Sequence, residues 1–103
     1  MGYFIDSYMQ NRREQWLRSI YAVEAQVGGE WYRGEINQKN IEGENLVLTV
    51  TFPVLDSQAC TITASRIIDI RGEVAAYQQR TVKKASGQGT MIKITIPIRE
   101  ITA

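Results

Sequence analysis

Asn40 and Asn45 flank a short acidic stretch around Gly43, Arg12 and Arg13 stand side by side near the N-terminus, Arg66 and Arg71 punctuate an isoleucine-rich run, and Lys83 and Lys84 close a later polar segment. These amide, guanidinium and ammonium groups suit reversible recognition. An amide presents a donor and an acceptor together and can read the edge of a base, while a guanidinium can stack on a base and meet a phosphate. Covalent chemistry has no comparable constellation. The chain holds no histidine and a single cysteine, with no P-loop, no G-x-S-x-G and no acidic pair at metal or glycosidic spacing, so neither an enzyme nor a cofactor is expected. Cys60, within the alternating "ACTIT", reads as a small buried hydrophobe.

The elements that must position these groups belong to one small domain. At 103 residues a chain buries roughly two-thirds of its unfolded surface in one modest core. The net charge is +1, so anion binding has to come from local patches rather than from the whole molecule. A lone cysteine excludes an intramolecular disulfide and fits a reducing compartment. "MGYFIDSYMQ" lacks the features of a signal peptide and no run reaches ~18 apolar residues. A soluble, cytoplasmic protein without membrane contact is therefore expected.

Asp6 is placed to cap a helix of body "SYMQNRREQWLRS", whose apolar side carries Met9, Trp16, Leu17 and Ile20. Arg13 lies within that stripe, which predicts a helix across the rim of a barrel with the guanidinium reaching out. From Tyr21 the period changes to two. "YAVEAQV" alternates Tyr21, Val23, Ala25 and Val27 against polar neighbours, Gly28 and Gly29 supply a hairpin turn, and "EWYRGEINQ" returns with Gly34 as a bend. "NLVLTVTF" puts Leu46, Leu48, Val50 and Phe52 on one face. "ACTIT" and "RIIDI" read as two short strands separated at Ala64 and Ser65, because one strand over both would be long for a small barrel. One helix and five short, bent antiparallel strands make a mainly β fold, in outline an SH3-like barrel over residues 1–72. Residues 73–103 form a basic extension with Arg80, Lys83, Lys84, Lys93 and Arg99 against Glu100, expected as a terminal hairpin or arm packed on its own barrel or a neighbour's. Pro97 places its last strand at an edge or at an irregular point of a sheet.

The order of these elements, with several residues, resembles the Sm/LSm family and, within it, bacterial Hfq. The family's second-strand pattern G-x-L-x-x-x-D-x-x-M-N-L-x-L is approached by "GEINQKNIEGENLVL", with Gly34, Ile36, Asn40 in place of the aspartate, and Asn45 followed by Leu46, Val47 and Leu48 one residue later than usual. "NRRE", Asn11 to Glu14, "SIYAV" and "SQACTITAS" are similar to segments of Hfq. The likeness covers about residues 6–72.

The resemblance implies a Sm-fold barrel in a homo-oligomeric ring of about five to seven subunits, binding single-stranded RNA and acting in RNA regulation or processing. It makes Asn45 a base-reading residue, with Arg12 and Arg13 on the helix rim. Two registers follow for the stacking arginine. "IRGE", Ile70 to Glu73, looks like the second Sm motif and selects Arg71, whereas the Hfq-like register, adopted here, puts the binding turn at Thr63 to Arg66. The sequence departs from the family at Gly43, where a stacking side chain is usual, and at Thr61 to Thr63, where Hfq has Tyr-Lys-His. Each group has a simpler role open to it: solvated surface charge for Arg12 and Arg13, a turn residue for Asn45, packing for Trp31 and Tyr32, and edge protection for the basic extension. The competing reading of the whole chain is an SH3-like oligomeric structural or interaction module that binds no RNA.

Overall fold

The computed structural model describes residues 4–98; Arg99 and Glu100 of the basic extension lie outside the described residues. Over the described residues the chain is mainly β, with one N-terminal helix and two antiparallel sheets, neither of which closes on itself. Helix α1 (Asp6–Ser19) leads directly into β1 (Ile20–Val27), β2 (Glu30–Arg33), β3 (Glu35–Glu42) and β4 (Asn45–Thr51). A 3₁₀ turn (Pro53–Leu55), β5 (Cys60–Asp69), β6 (Val74–Lys84) and β7 (Met91–Pro97) follow. One sheet has the order β2-β1-β5-β6 and the other β3-β4-β7.

Glycine decides the geometry at the two ends of β2. Gly28 (φ +59°) and Gly29 (φ +85°) adopt left-handed conformations that turn β1 back into β2, as a two-residue hairpin turn requires. Gly34 then separates β2 from β3 and sends one continuous run into two sheets. A Cβ at Gly34 would stand 2.6 Å from Val50 Cγ1, 2.7 Å from Phe52 Cε1 and 2.8 Å from the Thr51 carbonyl oxygen. Only glycine lets the backbone pass this close to β4.

The core forms where the two sheets face each other. Val23 and Ala25 from β1, Leu46, Leu48 and Val50 from β4, Ile62 and Ile67 from β5 and Ile92 from β7 close around Phe52 and Leu55. Leu46, Leu48, Val50 and Phe52 enter the core as expected for "NLVLTVTF", but Val47 on the opposite face is buried as well, so the strand does not alternate strictly; Pro53 opens the turn that follows it. Pro97 ends β7, which is an edge strand as expected.

Several expectations are corrected. Asp6 is the first helical residue and Ile5 holds the cap position without a side-chain bond, so Asp6 acts through its charge in the first turn. Cys60 to Asp69 is one strand of ten residues rather than two short ones. Its pairing with β6 shifts register between Ile62 and Ala64 and again between Ile67 and Ile68, and such bulges bend a long strand around a small core without breaking it. The expected binding turn at Thr63 to Arg66 therefore lies in mid-strand; the chain reverses instead at Ile70 to Glu73. Val74–Lys84 and Met91–Pro97 do not pair with each other, since β6 adds to β5 and β7 to β4. The separation of β2 from β3 at Gly34 offsets the merging of Cys60–Asp69, so residues 1–72 still hold five strands, and β6 and β7 of the extension bring the described total to seven.

Arg13 also differs from expectation. It is buried at 8% exposure, and its Nε donates to the Ile98 carbonyl at 2.8 Å. Its neighbour Trp16 is 49% exposed, while Leu17 packs against the core. Gly34→Ala is expected to lower the unfolding free energy by about 2 kcal/mol, read from the midpoint of a urea titration. An unchanged midpoint would show that β4 is not approached as closely as described.

Candidate functional site

The register of the four-stranded sheet brings four side chains into a single row on the face turned away from the core. Arg33 on β2 lies opposite Glu24 on β1, Glu24 lies opposite Arg66 on β5, and Arg66 lies opposite Tyr77 on β6. Alternation explains the selection, because Val23 and Ala25 enter the core and Glu24 between them must point outward. Trp31, two residues before Arg33, shares this face.

Electrostatics and stacking hold the row together. Glu24 accepts from Arg66 Nε at 2.8 Å, its Oε1 lies 2.8 Å from Arg66 Nη2, and its Oε2 lies 3.5 Å from Arg33 Nη2. The Arg66 guanidinium sits 4.0 Å from the centre of the Trp31 ring, and the Trp31 and Tyr77 rings meet edge to face at 6.2 Å. The Arg33 guanidinium is 5.2 Å from the Tyr21 ring. Tyr21 was expected to face the core with Val23; a register shift between Ile20 and Ala22 leaves it exposed.

Arg71 joins this group from the turn after β5. Asp69 Oδ1 accepts the amides of Arg71 at 2.9 Å and Glu73 at 3.0 Å, Gly72 takes φ +82°, and the Ile70 amide donates to the Ser19 carbonyl at 3.0 Å. The result is a fixed turn that holds Arg71 beside the row. Arg33, Arg66 and Arg71, with Tyr21, Glu24 and Ile68, line a notch of about 440 Å³. Arg66 and Arg71, which the two alternative registers offered separately, are walls of the same cavity.

The remaining sequence candidates are dispersed. Asn40 belongs to β3, with its Oδ1 buried and unpartnered, and Asn45 is the first residue of β4. Neither asparagine is in a loop, since Gly43 (φ +62°) and Glu44 alone make the turn between those strands. Arg12 is exposed and bonds Gln15 Oε1 at 3.1 Å. Lys83 is exposed. Lys84 is 6% exposed, and its ammonium donates to the carbonyls of Asp56 at 3.3 Å and Ala85 at 3.1 Å and to that of Gln58. Like Arg13, it is consumed internally. Tyr32 packs against the core, and the hydrogen bond and charge of Glu30 raise its phenol above the ordinary range. Among the described residues no cluster of His, Cys, Asp and Glu could hold a metal, and no helix is long and apolar enough to cross a membrane.

Sequence reasoning missed Arg33, Glu24, Tyr21 and Tyr77. One usable signal was the alternation in "EWYR", which sets Trp31 and Arg33 on one face and Tyr32 on the other. No protein-family model, curated protein or solved structure matches the chain.

Because Glu24 bridges two guanidiniums at 13% side-chain exposure, Glu24→Ala is expected to cost about 1–3 kcal/mol in a denaturant titration. Arg33→Ala, at the exposed end of the row, is expected to cost less than about 1 kcal/mol. Equal costs would mean that the carboxylate does not organise the face.

Proposed function

We propose that this chain binds single-stranded RNA on the outer face of the β2-β1-β5-β6 sheet and does so as a homo-oligomer, in a divergent Sm-like manner suited to RNA regulation or processing. The observation that carries the reading is the convergence of Arg33, Arg66 and Arg71 with Tyr21, Trp31 and Tyr77 on one face. Aromatic rings accept bases with little regard for sequence, and guanidiniums meet the phosphates between them. The binding surface thereby moves from Asn45, Arg12 and Arg13 to the sheet face.

In this reading the two sheets are halves of an open SH3-like, Sm-type barrel hinged at Gly34, with strand order β6-β5-β1-β2/β3-β4-β7. The pairings alternate in sense along that order, so the free edges of β6 and β7 run oppositely. Head-to-tail pairing of β6 with a neighbour's β7 would continue the sheet, and such heterologous contacts close into rings. A second reading, an oligomeric scaffold that binds no RNA, draws support from the helix, where Ile5, Tyr8 and Trp16 are 72%, 46% and 49% exposed.

Three measurements separate these readings. Light scattering at micromolar concentration is expected to give an oligomer of about five to seven subunits, and a monomer mass would end the ring proposal. Protein purified in low salt is expected to carry nucleic acid, seen in its ultraviolet absorbance ratio, and to lose it in high salt. With a short oligouridine, Arg71→Ala is expected to reduce the slope of log affinity against log salt by about 0.7, and Tyr77→Ala to weaken binding while keeping the slope. If neither change affects binding, or no RNA binds, the scaffold reading stands.

A further inference from the structure

The notch at the end of the arginine row has a charge that ordinary backbone recognition does not need. Its lining holds three guanidiniums, Arg33, Arg66 and Arg71, and one carboxylate, Glu24. Glu24 is committed to Arg66 and Arg33, which leaves two positive charges uncompensated. Glu73 does not line the notch, and its contact with Arg71 is 3.9 Å long between side chains 66% and 76% exposed, so water and salt screen it. An internal phosphodiester carries a single charge. A phosphate monoester carries about −1.5 to −2 at neutral pH and offers three acceptor oxygens.

Geometry favours the same ligand. Glu24 fixes Arg66 through Nε and Nη2 and holds Arg33 near it, while the Asp69 turn brings Arg71 into the lining of the same notch. The donors not used by Glu24 therefore belong to residues that share one open volume of about 440 Å³. Tyr21 and Ile70, 59% and 67% exposed, stand at this notch and offer an apolar wall to the nucleoside attached to such a phosphate. We infer that the Arg33–Arg66–Arg71 notch is an end-recognition pocket that takes the terminal phosphate monoester of a single-stranded RNA. This rests on the RNA reading above, because the sheet face must hold the strand whose end the notch receives.

The test compares one oligouridine with a 5′-phosphate, a 3′-phosphate or two hydroxyl ends, by fluorescence anisotropy on the full chain. One phosphorylated form is expected to bind about tenfold more tightly than the hydroxyl form, and which form gains identifies the end. That advantage is expected to shrink as pH falls below about 6, where the monoester gains a proton. Arg33→Gln and Arg71→Gln alter exposed side chains and are expected to abolish the advantage while the thermal melt stays as in the parent. Arg71→Lys is expected to keep part of it. Equal affinity for all three forms, or an advantage that survives Arg33→Gln with Arg71→Gln, overturns the pocket and leaves RNA binding intact. If no oligonucleotide binds but uridine monophosphate does, competed by inorganic phosphate and lost in the same variants, the RNA reading fails and the notch is a pocket for free nucleotide. If neither binds, both proposals fall.

Discussion

The fold depends on a backbone contact that no side chain could occupy. Where β2 becomes β3, the chain passes Val50, Thr51 and Phe52 at distances that leave no room for a Cβ, and this crossing lets one run of residues serve two sheets. Everything placed on the outer face of β2 follows from it. Trp31 and Arg33 stand just before the bend, so its position fixes their register against Gln26 and Glu24. The core gains as well, because the same crossing brings Val50 and Phe52 under the strand that covers them.

The outer face of the four-stranded sheet rests on a carboxylate whose neighbours are apolar by design of the strand. Val23 and Ala25 are fully buried on either side of Glu24 in sequence, and this pins β1 so firmly that Glu24 has one direction to point. A flexible surface glutamate would pair weakly with any passing arginine. Held in this way, it orients two guanidiniums at once and neutralises only part of their charge, and Trp31 supplies a flat support on which the Arg66 guanidinium lies.

Local signals were legible wherever one face of an element is buried and the other is wet. The Ile92, Ile94, Ile96 series is of this kind; the Gly28–Gly29 turn and Gly34 were legible as glycines that a turn and a close approach require, and the helix from its spacing although Arg13 is its one buried residue. β6 gave no such signal, since Val74 to Gln79 are all exposed and a strand without a buried face has no apolar period to detect. The continuity of β5 was hidden because its bulges interrupt the alternation at the point where a strand end would also interrupt it. Arg13 and Lys84 looked like free cations because the carbonyls of Ile98, Asp56 and Gln58 that hold them belong to distant segments. Of the site, Arg66 and Arg71 were legible as residues. Their meeting with Arg33 was not, because it depends on two strand registers and on the turn after β5.

The bond from Arg13 to the Ile98 carbonyl spans 85 residues, and β7 reaches β4 only after β5 and β6 have been laid down between them in sequence. The one buried guanidinium of the helix has its acceptor only once Ile98, just beyond β7, has been added to the chain. Such long-range closures are paid for in loop entropy before any contact returns it, which makes them late and slow events in folding. The Arg13 bond is therefore a late lock on a helix whose packing partners, β1, β3 and β4, come earlier in the sequence.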